Sequence, residues 1–175
     1  VGLVVVGQHQ TRAGAGVATP NRITLLRDAD GDGVAELRSV FMQDLNSPFG
    51  IALVGDTLYV ANTDAVVRVP YRTGDMAITV APVKVIVLPA GTLNHHWTKS
   101  MVASADGKRL YVGVGSNSNV GENGMENEIE RAAVLEIDPE AGTRRVFASG
   151  LRNPTALAWQ PHDGSLWAVV NERDE

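Results

Sequence analysis

The sequence predicts an all-β fold, a β-propeller present as a fragment of about three blades, and three observations carry that reading. First, VFMQDLNSPFGIAL (Val40 to Leu53) aligns without a gap on VFASGLRNPTALAW (Val146 to Trp159). Phe41 meets Phe147, Leu45 meets Leu151, Pro48 meets Pro154 and Ala52 meets Ala158, all 106 residues apart. Second, a Leu-aromatic pair recurs in GDTLYV, GKRLYV and DGSLWA, with Leu58, Leu110 and Leu166 spaced by 52 and 56 residues, so the repeating unit is about half of the longer offset. Third, the apolar runs are short, β-branched or alternating, are bounded by Gly, Asp, Asn and Pro, and nowhere sustain a 3.6-residue period. Four short strands in ~50 residues make a propeller blade. A β-sandwich also has many short strands, but it has no reason to repeat its turn chemistry at one offset.

The elements follow in chain order. VGLVVVG reads as a strand; it lacks the basic residues that open a signal peptide, and no apolar run in the chain reaches the ~18 residues a spanning helix needs. ITLL and LRSVF flank DADGDGVAE (Asp28 to Glu36), which places that acidic stretch in a turn between two strands. Pro48 opens an apolar run that is the innermost strand of a unit; Gly55-Asp56 turns it into TLYV, and AVVRVP (Ala65 to Pro70) follows before a further turn and strand. The next unit repeats the order: LNHHWTKS at the entry to the innermost strand, a turn at Asp106-Gly107-Lys108, RLYV, then AVLEID (Ala133 to Asp138) and a strand ending near Val146-Phe147. LRNPTALAW and DGSLWAVV begin another. At about 53 residues per unit the chain holds roughly 3.3 units, whereas propellers close with about four to eight blades. Residues 1–175 are therefore expected to form a partial propeller: the end of one blade, two full blades and the start of the next. A first residue that is Val1 rather than Met, and an end at Glu175 just after LWAVV, agree with a chain cut at both sides.

Composition narrows the function. With 44% hydrophobic and 20% charged residues the chain can bury a sizeable core. A formal net charge of −5 and no cluster of Lys or Arg argue against nucleic acid or an anionic membrane as partner, since phosphate binding needs a concentrated basic face. A small or neutral ligand fits better. The absence of cysteine excludes disulfides, thiolate metal sites and a cysteine nucleophile, and leaves the compartment open.

Three constellations could carry chemistry. In DADGDGVAE, carboxylates at Asp28, Asp30 and Asp32, with Gly33 sixth and Glu36 ninth, have the spacing of a loop around a hard cation, but the twelfth position is Ser39. A structural calcium at Asp28, Asp30 and Asp32 is thus weighed against a polar hairpin tip, with the hairpin tip preferred. GSNSNVGENGMENEIER (Gly115 to Arg131) lengthens one unit by roughly 16 residues relative to its neighbour and reads either as a solvated surface loop or as a binding loop rich in Asn and Glu. LNHHWTKS stands at the position of LNSPFGIA and LRNPTALA, so His95-His96 and Arg152-Asn153 belong to successive units and can converge on one ligand. Imidazole offers a base near neutral pH and guanidinium a planar fork for carboxylates. The alternative is that the histidine bonds a loop carbonyl and Arg-Asn caps a turn before Pro154.

The run NHHWTKSMVASADGKRLYVGVGSNSNVGENG, followed by RAAVLEIDP and ASGLRNPTALAW, resembles the soluble PQQ-dependent sugar dehydrogenases, in particular the sorbosone dehydrogenase branch, which are six-bladed propeller quinoproteins. The resemblance is strongest from Asn94 to Glu175. It implies oxidation of an aldose or a sorbosone-like keto-aldose to a lactone or acid, with PQQ and calcium as cofactors, an electron acceptor of unspecified kind and a periplasmic or secreted location. It assigns His96 as general base, His95 and Asn117 as substrate-facing, and Arg152 and Asn153 as contacts of the quinone. The calcium of the family is held largely by backbone carbonyls that here fall near Asn171, Glu172 and Arg173, where NERDE stands in place of the Gly-Pro of the glucose enzymes. The Lys and Arg residues that later blades contribute to the cofactor lie outside this sequence. A calcium-dependent lactonase on a similar propeller and a non-catalytic propeller binding module remain the alternatives.

Overall fold

The computed structural model describes residues 2–8 and 20–172, and the fold is built from antiparallel sheets in chain order. The first sheet holds β1 (Gly2–Gln8), β2 (Arg22–Asp28) and β3 (Leu37–Met42). The second holds β4 (Gly50–Val54), β5 (Thr57–Ala61), β6 (Ala65–Pro70) and β7 (Val83–Val87), each paired with the next. The third repeats this with β8 (Met101–Ala103), β9 (Leu110–Val114), β10 (Ala133–Asp138) and β11 (Thr143–Ser149), and a two-stranded sheet of β12 (Pro154–Trp159) and β13 (Leu166–Val170) follows. The predicted equivalence of the Leu58, Leu110 and Leu166 strands is therefore observed: they are β5, β9 and β13, the second strand of three successive sheets. Four-stranded antiparallel meanders in succession are propeller blades, here with a long connection between β9 and β10. Among the described residues no helix is long and apolar enough to cross a membrane.

β5, β6, β9 and β10 read as near-continuous apolar runs because their sheets have neighbours on both faces, whereas Trp167 and Val169 of β13 are exposed. Side chains alternate across a strand, and β5 shows the consequence. Its Leu58 and Val60 join Ile23, Leu25 and Phe41 of the first sheet, while Tyr59 and Ala61 join Leu110, Val112 and Leu135 of the third. A one-residue slip of β5 would exchange the two sets, so the pairing of Ala52 with Tyr59 and of Leu58 with Val69 is fixed by packing on both sides. On the far face of β9, Tyr111 packs edge-on against Phe147 at 5.0 Å and against Trp159 of the next sheet at 5.2 Å. The Trp159 indole N–H donates to the Ala103 carbonyl at 2.5 Å, which leaves that dipole satisfied.

The inner strands approach more closely than side chains allow, and glycines stand there. The Gly50 amide donates across the blade boundary to the Lys99 carbonyl at 2.9 Å, and a Cβ on Gly50 would lie 2.6 Å from that oxygen and from Met101 Cβ. The next boundary is bonded by the Ser116 amide, which donates to the Arg152 carbonyl at 2.7 Å. Gly113 faces the Pro154 carbonyl in the same way, 2.7 Å from where a Cβ would stand.

Candidate functional site

The entries of the inner strands bring the two predicted residue pairs together around the end of β9. His96, in the loop before β8, sits over Gly115: a Cβ there would fall 2.4 Å from His96 Cβ and 2.6 Å from Asn153 Oδ1. His96 Nδ1 lies 2.9 Å from the Ser116 carbonyl and 3.0 Å from the Ser116 hydroxyl, while that hydroxyl donates to the Ser118 carbonyl at 2.5 Å. Both atoms facing Nδ1 are thus acceptors, so Nδ1 carries the proton in the neutral ring and Nε2 keeps its lone pair. Burial lowers the pKa of His96, the Ser116 bond opposes this, and the nearby His95 and Arg152 add to the lowering. The ring is oriented, its protonated form is disfavoured by burial, and its lone pair lies on Nε2.

His95 packs edge-on against His96 with 4.7 Å between ring centroids, and its Nε2 meets Asn119 Oδ1 at 3.1 Å. The same Asn119 holds Arg152, whose guanidinium donates to the Asn119 side chain at 2.6 Å and to its carbonyl at 3.0 Å. Arg152 also donates to the Asn171 carbonyl at 3.3 Å and to the Glu172 carbonyl at 2.7 Å. Of the carbonyls read from the sequence as calcium ligands, that of Glu172 therefore faces a cation of the protein itself, and Arg173 lies outside the described residues. Asn153 is 8% exposed and its Oδ1 is buried without a hydrogen-bond donor. Asn117 is 6% exposed and turned inward: its Oδ1 accepts the His95 amide at 3.3 Å, and its own amide donates to Glu128 at 2.8 Å. A cavity of about 500 Å³ opens beside Arg152, lined among others by Ser118, Asn119, Met125, Glu128 and Glu172, with neither histidine in its wall.

The loop from Gly115 to Arg131 contains a single 3₁₀ turn, Met125–Glu128. Its base is pinned by carboxylates and one guanidinium. Glu128 accepts from Asn117 and from the Ser118 hydroxyl; Glu122, drawn down to about 2 by the amides of Asn119 and Val120, caps the next turn. Arg131 donates to the Ala90 carbonyl at 2.6 Å, to Asn94 Oδ1 at 3.1 Å and to the Gly115 carbonyl at 3.4 Å, which ties the loop's two ends to the histidine loop.

The acidic turn is the tip of the β2–β3 hairpin. Carboxylate oxygens of Asp28, Asp30, Asp32 and Glu36 come within 4.8 Å of one another. They are already used by the turn: Asp28 accepts the Gly31 and Gly33 amides at 2.6 and 2.9 Å, Asp32 accepts Val34, and Glu36 accepts Ala29.

Sequence reasoning missed Asn119, Ser116, Gly115, Arg131 and Lys99. For Asn119 the signal was present: GSNSN offers two asparagines in the loop that follows β9.

The TrAA12-like family model matches residues 15–175. No curated protein matches the chain. Among solved structures, the chain is similar to the holo PQQ domain of pyranose dehydrogenase from Coprinopsis cinerea, with 19% identity and a TM-score of 0.73 over 89% of this chain and 41% of that one. A calcium structure of a Trichoderma reesei carbohydrate-active enzyme of family AA12 gives 17% identity and 0.73 over 89% and 43%. An oxidoreductase (glucose dehydrogenase) from Thermus thermophilus gives 23% identity and 0.58 over 85% and 51%. The chain spans about half the length of these proteins or less, and at such identities the likeness is one of fold.

Proposed function

Because the chain belongs to the TrAA12-like family, we propose that it forms part of the active centre of a PQQ-dependent dehydrogenase that oxidises an aldose or a keto-aldose to a lactone or acid. His96 is the general base. One observation carries this reading: His96 commits Nδ1 to Ser116 and leaves Nε2 free as a base, beside an arginine and a buried unfilled acceptor from the next blade. Residues 1–175 are the end of one blade, two blades and the start of the next, and later blades complete the site.

The residues present fit an anionic quinone. Asn153 Oδ1 is an acceptor that an N–H or O–H of a bound molecule would complete, and the Arg152 fork is of the kind that grips carboxylates. Arg152 and Asn153 would hold the cofactor from this side, and the Glu172 carbonyl, which accepts from Arg152 here, would be the calcium ligand on the same side. Bound PQQ with its calcium supplies the two-electron acceptor for the substrate's C–H hydride. The protein's share is acid-base chemistry and placement. His96 Nε2 takes the proton of the C1 hydroxyl, or of a hydrated aldehyde, as the hydride departs. Asn117 fixes the His95 backbone, and the His95 ring with Asn119 offers polar atoms at the rim to sugar hydroxyls. Among the described residues the one cluster of His, Asp and Glu able to hold an ion lies at the β2–β3 tip, on another blade.

The test uses the complete protein loaded with PQQ and calcium. His96→Ala should lower sugar-dependent dye reduction by about 10²- to 10⁴-fold while cofactor binding survives. Arg152→Ala should weaken cofactor retention, measured by equilibrium dialysis. Wild-type turnover of the His96 variant across pH 5 to 9 would show the histidine to be packing; a holoprotein that oxidises no sugar would end the dehydrogenase reading.

A further inference from the structure

Lys99 lies three residues past His96, between two blades, and is 0% exposed. Its Nζ donates to the Trp97 carbonyl at 3.0 Å. That carbonyl also accepts the Thr63 hydroxyl at 2.9 Å from the β5–β6 turn, and Thr63 in turn accepts Asn94 Nδ2 at 2.8 Å. The Trp97–Thr98 peptide, one residue past His96, is therefore gripped from the preceding blade, while the imidazole is gripped by Ser116 just past the end of β9. No ion pair among the described residues involves Lys99. A buried ammonium without a bonded carboxylate costs stability that an apolar side chain of similar length would not. The hydrogen-bond partner of the buried charge is the Trp97 carbonyl it holds.

We propose that Lys99 is a positioning residue for His96: its buried ammonium fixes the Trp97 carbonyl, and through it the place of the imidazole. The proposal rests on the base role given to His96. The charged groups around Lys99 are Arg131, at the end of the long loop, which repels it, and Asp64, in the β5–β6 turn, which attracts it. On its own loop stand His95 and His96, and Glu128 faces both Arg131 and His96. Burial, then Arg131, bring the Lys99 pKa down to about 7. The clamp is thus charged below neutrality and discharged above it, and a neutral amine bonds a carbonyl more weakly than an ammonium does. The position of His96 becomes sensitive to pH through a group that never touches substrate.

Two readouts in the complete protein separate this from the reading it rests on. In the first, independent of turnover, ring signals of His96 are followed by NMR from pH 5 to 9. The wild type should show a second inflection near pH 7 in addition to the ring's own, and Lys99→Met should remove it. In the second, kcat of the PQQ- and calcium-loaded enzyme should fall about 10- to 100-fold in Lys99→Met with KM little changed, the scale expected for a base displaced by ~1 Å. Lys99→Arg, charged at every pH used, should restore most of the rate and carry the alkaline limb upward. A wild-type ring titration without the second inflection overturns the proposal, whether or not the variants fold; so does a Lys99→Met enzyme with wild-type kcat. If no sugar is oxidised, the base role of His96 fails, and the ring titration still decides what Lys99 holds.

Discussion

Gly115→Ala adds one methyl group at the point where two blades and the histidine loop meet, and its effect can be worked from distances. The new Cβ would stand 2.4 Å from His96 Cβ, 2.6 Å from Asn153 Oδ1 and 3.2 Å from His96 Cγ. Carbon atoms rest at about 3.5–4.0 Å, so roughly 1 Å of separation must be created. Rotating the imidazole cannot supply it, because the nearest atom is His96 Cβ, which moves only with the backbone. Gly115 is not among the positive-φ glycines, so alanine adds no conformational strain of its own and the effect is steric. Overpacking of this kind costs about 1–3 kcal/mol of stability. A displacement of ~1 Å in a catalytic base costs about 10²-fold in rate. Urea unfolding of the complete protein measures the first and sugar-dependent dye reduction the second, with the expectation that the rate falls further than the stability loss explains. A variant with wild-type midpoint and wild-type turnover would show that the end of β9 does not support His96 from below, and the site would have to be rebuilt.

Two further predictions follow from charge. Burial lowers the pKa of His96, so the base stays neutral below its ordinary 6.5 and the acid limb of kcat/KM should lie below that pH. The unfolded chain binds the proton more readily, so the contribution of this ring to stability is complete above 6.5 and is lost as pH falls towards the folded value; a His96→Gln variant titrated by thermal unfolding should be flatter over that range. At the β2–β3 tip, Asp28, Asp32 and Glu36 already accept backbone amides, so calorimetry should find at most weak calcium binding, little changed in Asp30→Ala and Asp32→Ala. A tight site lost in both variants would overturn that reading.

The blade pattern was legible because turns repeat: Gly55-Asp56 and Asp106-Gly107 close equivalent hairpins, and Leu58, Leu110 and Leu166 fall at equivalent strand positions. Register alone also sets His96 and the Arg152-Asn153 pair at the entries to adjacent inner strands, which left packing and chemistry as equal readings. Lys99 was not, because lysine ordinarily marks a surface and only the covering by the preceding blade buries it. Gly115 was one of two glycines in VGVGS, and nothing local says which of them has His96 above it. The Met125–Glu128 turn is too short to impose a period, and the side choice between Asn117 and Asn119 depends on Glu128, which lies further along the same loop.

Arg131 has its effect through what it permits. By joining the Gly115 carbonyl to Ala90 and Asn94, it closes the long loop at its neck, and beyond that neck Val120, Met125 and Ile129 are each 73% exposed. Once a neck is closed, doubling the chain beyond it costs only about 0.6 kcal/mol. Added length at the exposed tip is therefore cheap, whereas Glu122 and Asn123, which bond the Asn119 amide and the Asn117 carbonyl, tie their own part of the stretch to the asparagines that hold His95.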